Sequence, residues 1–259
     1  MIGVKSLKSI KSRENLGIFV VEGERFVREI PKNQKVLQYV VSDKYKKSIE
    51  ELKSRAPVMP VADGVFARIA DTNAPQGILA VVEKKHYDIH SVMQNEGFVL
   101  ALENLGDPSN IGGLIRTAAA ADCGGILFTK GCVSVWNPKV LRGSAGATLK
   151  LPFAVNVDIT EIIATARRQN IPVYAAHPKG DVLPYDINLT NRFCLILGNE
   201  AHGISQTVMK EACKLIKLPM NKNTESLSAS VAGAVIMYEA VRQRLISMEA
   251  KIAYSQKDN

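Results

Sequence analysis

FVLALENLGDPSNIGGLIRTAAAAD (98–122) reads as a buried strand, a turn and a helix in immediate succession. Residues 98–103 form a short apolar run, and Asp107-Pro108 forces a turn after it. Asn110 stands where it can cap the following helix. Gly112 and Gly113 fall in the first turn of that helix, where each costs roughly 1 kcal/mol relative to alanine. Something must therefore approach that backbone closely. The alternation continues downstream: GILFT (125–129) is a strand, and DITEIIATARRQN (158–170) is a helix opened by an Asp158/Glu161 capping box. IPVYAA (171–176), FCLILG (193–198) and KLIKLP (214–219) are strands, and a long amphipathic helix over 227–250 closes the chain. Strands separated by helices imply a parallel sheet whose functional loops lie at the strand C-terminal ends.

Upstream, the pattern restarts on a smaller scale. VLQYVVS (36–42), PVMPV (57–61) and GILAVVE (77–83) read as strands; DKYKKSIEELKSR (43–55) and VFARIAD (65–71) read as helices. The polar, weakly patterned KKHYDIHSVMQNEG (84–97) separates the two regions and reads as a linker. This predicts two α/β domains, 1–95 and 96–259. His86 and His90 lack the intervening glutamate of a helical zinc site, and no metal is expected.

The net charge of +8 and pI near 9.3 suit an anionic partner. Residues 1–95 hold 16 lysines and arginines against 11 acids, beginning with a basic tail of Lys5, Lys8, Lys11 and Arg13. The four cysteines, Cys123, Cys132, Cys194 and Cys213, form no CxxC pair, and no apolar run approaches 18 residues. A cytoplasmic protein with reduced thiols and no membrane partner is the expectation. Neither GxGxxG nor GxxxxGK[ST] occurs, which argues against a dinucleotide fold and a P-loop.

Three strand-end loops carry the chemistry: NLGDPSNIGGLIRTA (104–118), LILGNEAHGIS (195–205) and LPMNKNTESLSASVAGAVIMYE (218–239). Taken singly, each also suits a structural role: Asn110 as a cap, Arg116 as a surface ion pair, Glu200 in an ordinary turn, Ser226 to Ser230 as a helix start. Together, in this order, they resemble the three signature motifs of the SpoU (SPOUT) RNA 2'-O-methyltransferases. VLRGSAGATLKLPF (140–153) is similar to a further family segment, and FVVEGERFVREI (19–30) with NAPQGILAVV (73–82) resemble its small L30e-like substrate-binding domain.

The resemblance implies an L30e-like α/β domain followed by an α/β-knot methyltransferase domain with a mostly parallel sheet. It implies S-adenosylmethionine as cofactor and a homodimer. Its substrate is expected to be RNA, ribosomal (23S) RNA first, with tRNA as the alternative and a non-catalytic RNA-binding or assembly factor as the reading from another class. Carried onto this chain, the motifs make Asn110, Arg116, Glu200 and Ser226 catalytic, and Gly198, Leu218, Met220 and Leu227 the cofactor cradle. One departure stands out. The family commonly has asparagine two places after the motif serine; here it is Ser228, whose shorter side chain bears on RNA positioning more than on the reaction. A neutral Arg116 would cost roughly 7 kcal/mol at pH 7, so a phosphate grip suits it better than the role of base. Glu200 is the less favoured base and better suited to fixing a loop or Arg116.

Overall fold

The computed structural model describes residues 2–224 and 226–255. The chain divides into two compact units, residues 1–85 and 86–259.

In the first unit, α1 (Val4–Lys8) and α2 (Ile10–Asn15) precede β1 (Ile18–Glu22) and α3 (Glu24–Arg28). There follow β2 (Val36–Ser42), α4 (Glu50–Lys53), β3 (Val58–Val61), α5 (Asp63–Ile69) and β4 (Ile78–Glu83). The sheet order is β1-β4-β2-β3, antiparallel except for the parallel β2/β3 pair. Leu7, Val20, Val40, Phe66 and Leu79 share its core. The basic tail is partly tied down: Leu7 is fully buried, and Arg13 is buried and ion-paired with Asp71 at 2.9 Å, while Lys8 and Lys11 remain exposed. The side chain of Lys5 lies outside the described ones. The helix expected over 43–55 shrinks to Glu50–Lys53. Ser42 and Asp43 instead bond across to Asp63, at 2.9 Å from the Ser42 hydroxyl and 3.1 Å from the Asp63 amide. Local side-chain bonds of this kind compete with a helix.

The second unit runs α6 (Ile89–Gln94), β5 (Val99–Leu102), α7 (Pro108–Ala120), β6 (Gly125–Thr129), α8 (Pro138–Gly143), β7 (Phe153–Val157) and α9 (Ile159–Arg168). It continues through β8 (Val173–Ala176), β9 (Cys194–Leu197), α10 (Gln206–Glu211), β10 (Lys214–Ile216) and α11 (Ala229–Ser255). All five strand pairings in the order β10-β8-β9-β5-β6-β7 are parallel. Both faces are covered, which explains the unbroken apolar strands. Leu100 and Leu102 point into one core, Val99 and Ala101 into the other. The chain proceeds from β5 outward in one direction and returns to pair β9 on its other side. That reversal opens a crevice beyond the carboxyl ends of β5 and β9, where α/β sheets bind ligands.

The linker expected over 84–97 is also corrected, and with it the boundary at 95/96. Residues 89–94 are helical, capped by Asp88, whose carboxylate accepts from the Ser91 amide at 2.7 Å. Ile89, Val92 and Met93 are buried in the second unit's core. They occupy successive turns of one face, a pattern hidden by the polar flanks. A fragment starting at His86 should therefore unfold cooperatively. One starting at Glu96 discards three apolar anchors, each worth about 1.5–3 kcal/mol, and should melt far lower or fail to fold. Equal melting temperatures for the two fragments would contradict this assignment.

Candidate active site

The first loop is held by its own turn. Asp107, rather than Asn110, caps α7, accepting from the Ser109 amide at 2.7 Å, and Pro108 follows where a missing N–H costs nothing. Asn110 is thus released from capping and points inward, 8% exposed. Its amide nitrogen donates to Glu200 Oε1 at 3.1 Å, and its oxygen accepts from the Ser230 hydroxyl at 2.9 Å. The orientation is unambiguous, because a carboxylate can only accept. Ser230 Oγ in turn lies 3.1 Å from Ser228 Oγ. One chain of bonds, Glu200–Asn110–Ser230–Ser228, therefore joins all three loops.

Glu200 anchors that chain. Its carboxylate also accepts from the backbone amides of Gly106 at 3.3 Å and Asp107 at 3.2 Å. Burial pushes its pKa up, but the Asn110 bond and the amides of Glu200, Gly106 and Asp107 outweigh that and hold it below the ordinary carboxylate value. Asn199 braces the same loop. Its oxygen accepts from the amides of Ala201 and His202 at 2.9 and 3.1 Å, and its nitrogen donates to the Asn104 carbonyl at 2.7 Å.

A cavity of about 340 Å³ lies beside this network. Gly198, Leu218, Met220 and Leu227 all line it, as do Glu200 and Ser226. Asn110 reaches it through Glu200. Arg116 stands apart on α7, exposed, with no hydrogen bond or ion pair among the described residues. His177, Asn199 and His202 also line the cavity and were not singled out from the sequence, nor was Ser230. Ser230 did carry a signal, since a serine-rich helix start offers hydroxyls to neighbouring loops.

The glycines answer the question raised by their cost, and not with a ligand. A Cβ on Gly112 would lie 2.9 Å from the Gly143 Cα, so α7 and α8 meet backbone to backbone. A Cβ on Gly198 would lie 2.3 Å from the Gly203 carbonyl carbon, where the loop folds back on itself. Ser228 begins α11, its hydroxyl accepting from the Val231 amide at 3.3 Å. The residue that departs from the family pattern is here a helix cap.

Residues 97–238 match the model of the SpoU rRNA Methylase family, and residues 3–80 that of an MRM3-like substrate binding domain. An uncharacterised tRNA/rRNA methyltransferase of Synechocystis is 32% identical over 71% of this chain and 67% of its own length. The 23S rRNA (guanosine(2553)-2'-O)-methyltransferase RlmP of Bacillus subtilis is 24% identical over 90% of this chain and 92% of its own. The crystal structure of the SpoU methyltransferase AviRb from Streptomyces viridochromogenes, in complex with AdoMet, superposes with a TM-score of 0.85 at 26% identity. That superposition covers 93% of this chain and 96% of AviRb.

The depressed pKa of Glu200 fixes the pH range of the loop tie. A carboxyl with a lowered folded-state pKa contributes stability above its unfolded value, and loses it as pH falls through the folded one. The Gly106 and Asp107 amide proton shifts should titrate with a midpoint below about pH 4.3, the ordinary glutamate value. Glu200→Gln should abolish that titration. A midpoint at or above the ordinary value would contradict the tie.

Proposed function

Because the chain belongs to the SpoU rRNA Methylase family, we propose that it transfers a methyl group from S-adenosylmethionine to a ribose 2'-hydroxyl of ribosomal RNA, with 23S RNA as the substrate. The observation that carries this reading is the cavity itself. It is of small-ligand size, apolar along Leu197, Ile216, Leu218, Met220 and Leu227, and edged by backbone at Gly198. Those residues fit a sulfonium-bearing nucleoside: aliphatic side chains for its apolar parts, a backbone edge for its base. S-adenosylmethionine, when bound, supplies an electrophilic methyl group.

The remaining work falls to this chain's own residues. A ribose hydroxyl must be oriented in line and relieved of a proton. Glu200 is a poor base, because both of its oxygens already accept bonds and its pKa is held down. It fixes the loops instead. Arg116, exposed and without an ion pair among the described residues, grips the phosphate beside the target ribose with its forked donors. The proton then leaves to that phosphate or to water. Ser226, in the cavity wall, contacts the reacting ribose. The first unit, matching a substrate binding domain and bearing exposed Lys8 and Lys11, adds RNA affinity through phosphate contacts that salt weakens.

We further propose a homodimer formed through α11. Val231, Val235 and Tyr238 are 48%, 38% and 51% exposed at a spacing that aligns them on one face. A cytoplasmic location completes the proposal. All four cysteines are free, and burial pushes Cys123 and Cys194 up to about 12, so those two stay protonated.

Two measurements test the site. Leu227→Asp should abolish S-adenosylmethionine binding in calorimetry by setting a charge against the apolar wall; unchanged affinity would remove this cavity from the reaction. Arg116→Ala should keep cofactor binding and lose nearly all methyl incorporation into RNA, with Arg116→Lys also poor; wild-type turnover in the lysine variant would end the forked-grip account. The assembly is tested by light scattering at micromolar concentration. The wild type should be a dimer and Tyr238→Glu a monomer, and an active monomeric wild type would refute the interface.

A further inference from the structure

Glu200 dictates the direction of every bond in the chain that joins the three loops. A carboxylate held below its ordinary pKa has no proton to give, so Asn110 must turn its amide nitrogen to Glu200 and its oxygen away. That oxygen can only accept, and the Ser230 hydroxyl donates to it at 2.9 Å. A serine has one hydroxyl proton, and this bond commits it. Across the 3.1 Å that separates the Ser228 and Ser230 oxygens, Ser228 is therefore the donor. Its own proton is committed in turn, while its oxygen accepts from the Val231 amide at 3.3 Å. All the protons of the chain point one way, from α11 toward Glu200.

What remains on the two serines is acceptor capacity alone. A hydroxyl oxygen carries two lone pairs. One on Ser230 takes the Ser228 proton and one on Ser228 takes the Val231 amide, so each oxygen keeps one lone pair with no partner among the described residues. An ordinary serine rotates its proton to suit either kind of group. These two cannot do so without breaking the bond to Asn110.

Their place ties them to the reacting ribose. Leu227, Ala229 and Ala232, interleaved with them along the chain, line the cofactor cavity. On the other side Ser230 abuts α7, where a Cβ on Gly113 would lie 3.5 Å from the Ser230 Cβ. Arg116 follows Gly113 by three residues, on the same face of α7. A ribose set between the methyl donor and the phosphate held by Arg116 therefore passes over the two serines. Ser228 is exposed and Ser230 half-buried, so a ligand can reach both.

We propose that Ser230, with Ser228 beside it, accepts a hydrogen bond from the ribose 2'-hydroxyl that is to be methylated, and so tells substrate from product. Within an RNA strand the 3'- and 5'-oxygens are esterified, which leaves the 2'-hydroxyl as the one donor the sugar carries. Holding its hydrogen leaves an oxygen lone pair free for the methyl group. Once methylated, that oxygen has no proton, and serines whose own protons are fixed cannot turn to donate to it. The methylated strand loses the bond and is released, and a deoxyribose never makes it. The pair orients the hydroxyl before transfer and keeps no proton itself. The inference rests on the RNA methylation proposed above, and gives its site a preference for unmethylated ribose.

The test begins from the nucleotide that the wild type methylates, located in ribosomal RNA by mass spectrometry. An RNA fragment around it is synthesised in three forms that differ only at that ribose, with a 2'-hydroxyl, a 2'-hydrogen or a 2'-methoxy group. Binding to the full-length protein is followed by fluorescence anisotropy in the presence of S-adenosylhomocysteine, which permits no turnover. The wild type should bind the hydroxyl form roughly fivefold more tightly than the other two, the worth of one hydrogen bond. Ser230→Ala should bind all three alike, and Ser230→Thr, which restores a hydroxyl, should recover the preference. A role confined to bracing Asn110 would weaken the three forms together and leave their ratio unchanged. Calorimetry with S-adenosylhomocysteine checks folding; if the alanine variant fails it, Ser230→Cys, whose sulfur is a weak acceptor, takes its place. Equal binding of the three forms by the wild type, or an undiminished preference in the folded variant, would overturn the assignment. If the wild type methylates ribosomal RNA yet shows no preference among the forms, this inference alone fails. If it incorporates no methyl group into RNA, the parent reading fails and takes this one with it.

Discussion

A single carboxylate holds the three strand-end loops in register. Glu200 stands after β9, yet its acceptors are filled by donors from the loop after β5 and by the Asn110 side chain, which is itself bonded to Ser230 of α11. The first of these loops lies 94 residues from the second, Gly106 to Glu200, and 120 from the third, Asn110 to Ser230. Loops are the most mobile part of an α/β fold, and a site assembled from three of them would drift without a shared anchor. Ionised carboxylates accepting from backbone N–H groups make some of the stronger bonds available to a protein. The cost is that the same carboxylate is no longer free to take a proton. Positioning and base catalysis compete for one side chain, and here positioning wins.

Close backbone contact makes that arrangement possible. Gly112 against Gly143 lets α8 approach α7, and Gly198 against Gly203 lets the second loop fold back on itself. Gly233 does the same for α11, since a Cβ there would lie 2.6 Å from side-chain atoms of both Leu114 and Leu197. In each place a methyl group would push one loop away from its neighbour. The helical glycines cost intrinsic helix stability and return it as proximity. The cavity beside the loops has an aliphatic wall and a polar edge, a division that suits a ligand part apolar and part polar.

The sequence alone was sufficient for the two-part α/β organisation, the parallel order of the catalytic sheet's strand segments and the three loops, because each rests on local periodicity and turn chemistry. It also marked Gly198, Glu200, Leu218, Met220, Ser226 and Leu227, which line the cavity and sit within short motifs, but not His177, Asn199 or His202. It misread the segment around α6, because three buried residues among polar neighbours give too weak a period, and it overextended the helix at 43–55, where Ser42 and Asp43 find partners 20 residues away in Asp63. What only the tertiary structure decided is which partner each polar group takes. Asn110 was legible as a cap and proved to be a bridge, because Asp107 had already claimed the cap. Gly112 was legible as a point of close approach, but whether ligand or helix approached depended on where α8 packs. Ser230 was marked only as part of a serine-rich helix start, and Asn199, which braces the second loop, carries no mark in the linear chain. A hydrogen bond is a relation between two groups, and the second group is fixed only when distant segments are brought together.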